Sequence, residues 1–199
     1  MCKDTTNSRN GQAQTDFFDL FDVKKKAEVS FTAPDMTNLG GLSVLRRVIK
    51  DDDLLTQISR KVVDWRNPQL TDHSIEEMIT QRVLQIAAGY EDADDCDLLR
   101  NDSMMKLSTG RLPGDGALCS QPTMTRLENH VQHKELYDIG WLFVRHFVKS
   151  YAKAPDRIIL DLDDSNHNCY GAQQLSVFNA YYGEYCYMPL YIFEGYSGM

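Results

Sequence analysis

The sequence predicts an α+β chain in which an all-helical N-terminal part is followed by antiparallel strands. Three observations carry that expectation. Between residues 42 and about 152, apolar side chains recur at three- and four-residue intervals, as on one face of a helix. Ile158, Ile159, Leu160 and Leu162 then form a bulky run ending in Asp161, Asp163, Asp164 and Ser165, which reads as a buried strand. Residues 176–182 and 188–193 alternate and are rich in Val, Phe and Tyr, the pattern of antiparallel strands.

Taken in order, residues 1–38 are polar, with a short apolar burst at Phe17, Phe18, Leu20 and Phe21, and are expected to be a mobile leader. Lys24, Lys25 and Lys26 read as a solvated charge run. Leu42, Leu45, Val48 and Ile49 make one helical face. Leu54, Ile58, Val62 and Trp65 make the next, after a break at Asp51, Asp52 and Asp53, and Asn67-Pro68 ends it. Ser74 followed three residues later by Glu77 is a capping box, opening a helix whose buried stripe is Ile75, Met78, Ile79, Val83 and Ile86 and which stops near Gly89.

Two short helical pieces, near 92–99 and 103–107, precede a loop from Gly110 to Gly116. Asp92, Asp94, Asp95 and Asp97 lack the glycine and terminal glutamate of a calcium loop, so they read as helix N-terminal charges favoured by the dipole. Ser120 is placed as an N-cap with Pro122 in the first turn of a helix through Met124, Leu127 and Val131. A short helix, a turn and a capped helix exposing Gln121, Thr123, Thr125, Arg126 and Asn129 resembles a helix-turn-helix unit, with the first four as candidate DNA-binding residues; the same residue types are also ordinary on any surface helix. A long helix from about 134 to 152 is expected to turn Leu136, Ile139, Phe143 and Phe147 inward and Arg145, Lys149 and Lys153 outward, with His146 structural. Ala154-Pro155 leads into the strands, where residues 183–185 supply a turn. The expected divisions are 1–38, 39–153 and 154–199.

At 199 residues, 42% hydrophobic and 25% charged, the chain is an ordinary soluble composition with room for one full domain and part of another. No apolar run approaches the roughly 18 residues needed to cross a bilayer, and the first residues lack a signal peptide's apolar core. Cys2, Cys96, Cys119, Cys169 and Cys186 are far apart without zinc spacing, and read as free thiols in a reducing cytoplasm. The net charge of -8 runs against phosphate binding, but it is unevenly spread. Residues 39–153 hold 15 basic and 17 acidic groups, whereas residues 154–199 hold one and six. The excess therefore sits on the strand segment, where divalent cations would partly neutralise it.

Carboxylates closing an apolar strand cost free energy unless they pair, reach water or coordinate a cation. Two enzyme classes use such a strand. Asp161, Asp163 and Ser165 fit the first motif of the haloacid dehalogenase-like phosphatases, but that class needs a later lysine, and none of the 34 residues after Ser165 is one.

The other class is better matched. The strand D-L-D-D-S, the following G-A-Q-Q-L-S-V-F-N, two spaced tyrosine clusters, Tyr-x-Pro-Leu and Gly-x-x-Gly closely resemble the DDE transposase domain, group one, of bacterial insertion sequences. Upstream, R-V-L-Q-I-A-A-G-Y-E-D-A-D-D-C-D-L-L-R-N-D and S-Q-P-T-M-T-R-L-E-N extend the resemblance over residues 39–199. It implies that residues 154–199 open an RNase H-like catalytic domain. There, three carboxylates hold two divalent cations, Mg2+ or Mn2+, for phosphoryl transfer on DNA. Asp163, two before Ser165, best matches the first catalytic and metal-binding carboxylate, and Asp161 shares its side of the strand. Asn166, Asn168 and Tyr170 depart from the family pattern of acidic residues and a histidine.

The other two carboxylates are expected beyond Met199, so the chain is expected to be the truncated N-terminal portion of a transposase. Its implied partners are DNA bearing terminal inverted repeats and further copies of the chain in a homo-oligomer, with no membrane. Its implied place is the bacterial cytoplasm, at the nucleoid. The alternatives set beside the enzyme are a non-catalytic DNA-binding or subunit-pairing inhibitor of transposition and an inert remnant.

Overall fold

A computed structural model describes residues 36–169 and 176–198. The expected leader falls almost wholly outside the described residues, as do Gly171 and Gln173 of the expected loop between strands. The chain divides into two compact units, Met1–Phe143 and Val144–Met199.

Helices precede strands, as the periodicities predict. The helices are α1 (Leu42–Asp52), α2 (Leu54–Ser59), α3 (Ile75–Ala87), α4 (Asp95–Leu99), α5 (Ser103–Thr109), α6 (Gln121–His130) and α7 (His133–Ser150), with a 3-10 turn at Pro68–Leu70. The acidic break is a single left-handed residue. Asp53 has φ 57° and ψ 5°, ending α1 and starting α2 in one step. Aspartate tolerates that conformation better than most residues, because its short side chain can bond locally.

α3 is central to the first unit. Ser74 caps it, its Oγ accepting from the Glu77 amide at 3.0 Å. The expected capping box closes only halfway: the Glu77 carboxylate accepts from Arg111 Nε and from Arg111 Nη2 at 2.9 Å, and lies 3.1 Å from His73 Nδ1. Met78 and Leu84, both fully buried, anchor α3 in two apolar clusters. The first adds Val62, Ile75, Cys96, Cys119, Met124 and Leu127, and the second Leu39, Leu42, Leu99, Met105 and Leu118. Burial of each large side chain contributes about 1.5–3 kcal/mol.

The stripe read from the sequence is corrected in two places. Ile86 is 49% exposed, whereas Gln81 and Gln85 are buried. Gln81 donates to the Cys119 carbonyl and accepts from the Cys119 amide, both at 3.1 Å. Gln85 donates to the Asp92 carbonyl at 2.5 Å and accepts from Cys96 Sγ at 3.0 Å. Fully paired amides lie inside at little cost, and they fasten the chain on either side of α4 to α3.

The inward face of α7 is also corrected. Leu136 and Phe143 are each 54% exposed, and the buried positions are Glu135 and Leu142. The cause is polar: Glu135 Oε1 accepts from the Val63 amide at 2.7 Å and Oε2 from the Gln132 amide at 2.6 Å, which turns that edge of the helix inward.

The second unit carries β1 (Leu160–Asp164), β2 (His167–Asn168), β3 (Val177–Asn179), β4 (Glu184–Tyr187) and β5 (Leu190–Glu194). β1 pairs antiparallel with β5, and β4 pairs antiparallel with both β2 and β3. The expectation of one antiparallel sheet is corrected: the pairing is antiparallel, but it forms two sheets that share a register offset. The offset that sets Leu160 against Glu194 also sets Asn168 against Cys186. Between the two, Ser165 donates to the Pro189 carbonyl at 3.2 Å. Pro189 has no N–H to return, so the ladder is interrupted there and resumes. The middle strand expected at 176–182 is reduced to β3, on the far edge of β4 and not beside β1. Gly183, at φ 73°, makes the turn before β4, and its amide donates to the Asn179 carbonyl at 2.8 Å.

β1 was expected to be buried and is exposed along its whole length, with Leu160 at 57% and Leu162 at 60%. Burial needs a layer over the face of a strand, and hydrogen-bonding to β5 covers only an edge.

Candidate functional site: a strand carboxylate pair and a capped helix

Alternation along β1 places Asp161 and Asp163 on one face of the ribbon, with Leu160, Leu162 and Asp164 on the other. Directly opposite in β5, Phe193 faces Asp161 and Tyr191 faces Asp163. Both aspartates are exposed, so water reaches their carboxyl groups. Two hard oxygen donors with open positions fit Mg2+ or Mn2+, which bind through one or two carboxylates and keep several waters. Among the described residues, no three His, Cys, Asp or Glu side chains converge into a metal-holding group. What the ribbon presents on this face is two exposed carboxylates.

Sequence reasoning missed what surrounds this pair. Tyr191 OH lies 3.3 Å from His167 Nε2, and the Tyr191 and Phe193 rings stack at 13° with centroids 6.2 Å apart. The signal available was period-two alternation in both strands, but it becomes informative only once the register is known. Glu194 was missed too. It is buried, and its Oε2 accepts from the Tyr196 amide (3.0 Å), the Ser197 amide (2.8 Å) and Ser197 Oγ (2.9 Å). Burial alone would raise its pKa, but these bonds outweigh it and hold the carboxyl below its usual range. Glu194 thus fixes the turn after β5.

In the first unit, Ser120 occupies the N-cap of α6 as expected, although its hydroxyl pairs with Thr123 Oγ1 at 3.2 Å and not with a backbone amide. Gln121 and Thr125 bond to each other at 3.0 Å, and Gln121, Thr123 and Thr125 are all half-buried. Arg126 is exposed. The tight helix-turn-helix is not formed. Eleven residues separate α5 from α6, whereas the motif uses a turn of about three or four. α5 packs on α1 and α3, and α6 on α4. An Arg82–Glu128 ion pair at 2.6 Å also ties α6 to α3. Buried Lys106 donates to the carbonyls of Pro113 (3.1 Å) and Asp115 (3.0 Å), holding the loop that leads into α6.

The buried thiols are not reactive centres. Burial pushes Cys96 to about 11 and Cys119 to about 12, so neither is a thiolate at neutral pH.

No helix among the described residues is long and apolar enough to cross a membrane. No curated protein and no solved structure matches the chain. The family model described as transposase DDE domain group 1 matches residues 21–199, a span that takes in both units' described residues and the β1 aspartates. On that match, the chain belongs to the DDE transposase domain family, group 1.

Proposed function

We propose that this chain supplies the helical DNA-binding part and the first metal-binding carboxylates of a bacterial insertion-sequence transposase that cuts and joins DNA at terminal inverted repeats. The observation that carries the proposal is the pairing of Asp161 and Asp163 on one face of β1, inside a match to a DDE transposase family. Divalent cations, when bound, would activate the attacking oxygen and stabilise the leaving one in an in-line displacement. Asp163 is the principal ligand in this reading, and Asp161 assists it. β1 and β5 would form part of an RNase H-like sheet in this reading.

DNA contact falls to the first unit. Arg126 is its best-placed member on α6, while Gln121, Thr123 and Thr125 shape the helix start and would contact DNA through their remaining polar atoms. Arg46, Arg60 and Lys61 add charge from the same unit. In this reading the protein acts in the cytoplasm at the nucleoid and pairs with further copies of itself.

Fluorescence anisotropy with an inverted-repeat duplex at two salt concentrations tests the proposal. Weak binding that falls steeply with salt is expected, as for contacts made mainly to phosphates. No binding at low salt by folded protein would contradict it.

A further inference from the structure

The aspartate face of the ribbon carries aromatic rings as well as carboxylates. Residues opposed across an antiparallel ladder share a face with β-carbons about 4.5–5.5 Å apart, so Tyr191 stands beside Asp163 and Phe193 beside Asp161. The two rings lie in nearly parallel planes and are 40% and 44% exposed. Tyr191 is also held from its rim: its hydroxyl meets His167 Nε2 at 3.3 Å, with the two rings tilted at 34° and their centroids 6.3 Å apart. A ring fixed at its hydroxyl, backed by a parallel neighbour and set beside two carboxylates suits a planar heteroaromatic group joined to a phosphate. Bases inside a duplex are stacked on one another, so the group that can reach such a ring is an unpaired base.

We propose that Tyr191, steadied by His167 and backed by Phe193, stacks an unpaired nucleobase of the DNA strand whose phosphate lies at Asp161 and Asp163. The inference rests on reading β1 as the metal-binding strand. Asp163 and its cation hold the phosphate, and Tyr191 fixes the strand's position by its base. Stacking tolerates every base, so this contact sets geometry without reading sequence.

The test uses the 199-residue chain with a single-stranded oligonucleotide carrying 2-aminopurine and an end label, in Ca2+. Stacking is read by 2-aminopurine quenching, and phosphate contact by the Ca2+-dependent part of the anisotropy. Tyr191→Leu should weaken the quenching about tenfold or more in half-saturating protein concentration, Tyr191→Phe should keep most of it, and Asp163→Asn should remove the Ca2+ dependence. Quenching unchanged in Tyr191→Leu, with Asp163-dependent binding intact, overturns the stacking inference and leaves the functional reading standing. Loss of both signals in folded wild-type protein overturns both. Photocrosslinking of a 5-iodouracil oligonucleotide to the wild-type chain needs no variant. A crosslink at Tyr191 or His167 supports stacking, and crosslinks confined to other residues overturn it.

Discussion

Gln81 illustrates what single residues contribute to the first unit. Its amide satisfies both backbone groups of Cys119 from 38 positions away, inside an apolar cluster. Gln81→Ala leaves a buried N–H and a buried carbonyl unpaired and should destabilise the fold by about 2–4 kcal/mol, read from the denaturation midpoint. Glu77 adds a pH dependence. Burial would raise its pKa, but hydrogen bonds from His73 and Arg111 hold it below the usual glutamate range. A carboxyl with a lowered folded value stabilises when ionised, so its contribution is complete above the unfolded value and is lost as pH falls through the folded one. Wild type should exceed Glu77→Gln by about 1–3 kcal/mol at neutral pH, between the exposed and buried limits for ion pairs. The gap should close in acid, and urea unfolding from pH 7 downward checks it; a gap constant with pH would count against this assignment. Neither residue was legible in advance. A glutamine on an amphipathic pattern reads as outward, and Glu77 matched a capping box whose carboxylate in fact turns to Arg111, 34 residues on.

At the scale of elements, local signals were legible and pairings were not. Ser74, the Asp51–Asp53 break and Pro122 mark helix ends because caps and breakers act within a few residues. The strand at 160–164 was legible from its bulky run, yet its partner was not, because alternation fixes which residues share a face without fixing which strand lies beside it. The inward face of α7 failed for a related reason: Glu135 finds two backbone donors and so outweighs the apolar neighbours on which the periodicity rested. Asp53 offers a direct check on the α1–α2 break. A non-glycine residue in the left-handed region carries strain that glycine does not, so Asp53→Gly should raise stability by about 0.5–1 kcal/mol in thermal unfolding. A loss of stability would show that the aspartate side chain contributes more than its backbone costs.

At the scale of the whole molecule, charge and chemistry are segregated along the chain. Fifteen of the 21 basic residues lie within 39–153, and one follows residue 153. Asp163→Ala should therefore leave metal-free DNA binding intact or slightly stronger, since it removes a charge that repels phosphate. A large loss in that variant would put the DNA surface on the ribbon instead. The family was legible from its strung motifs, and so was the strand that ends in aspartates. The aromatic side of that site was not, because it is assembled across the β1–β5 ladder.

Whether the β1 pair is the cation site is tested most directly by letting bound iron cut the chain. With hydrogen peroxide and ascorbate added, Fe2+ at the site reduces peroxide to hydroxide and a hydroxyl radical, ascorbate returns Fe3+ to Fe2+, and the radicals break the nearby backbone so that the fragments locate the iron. Cleavage is expected within β1 around Asp161 and Asp163 and in β5 near Tyr191, competed by Mg2+ or Mn2+ and suppressed in Asp163→Asn. Cuts centred elsewhere, or a pattern unchanged by Asp163→Asn, would contradict the assignment of β1 as the metal-binding strand.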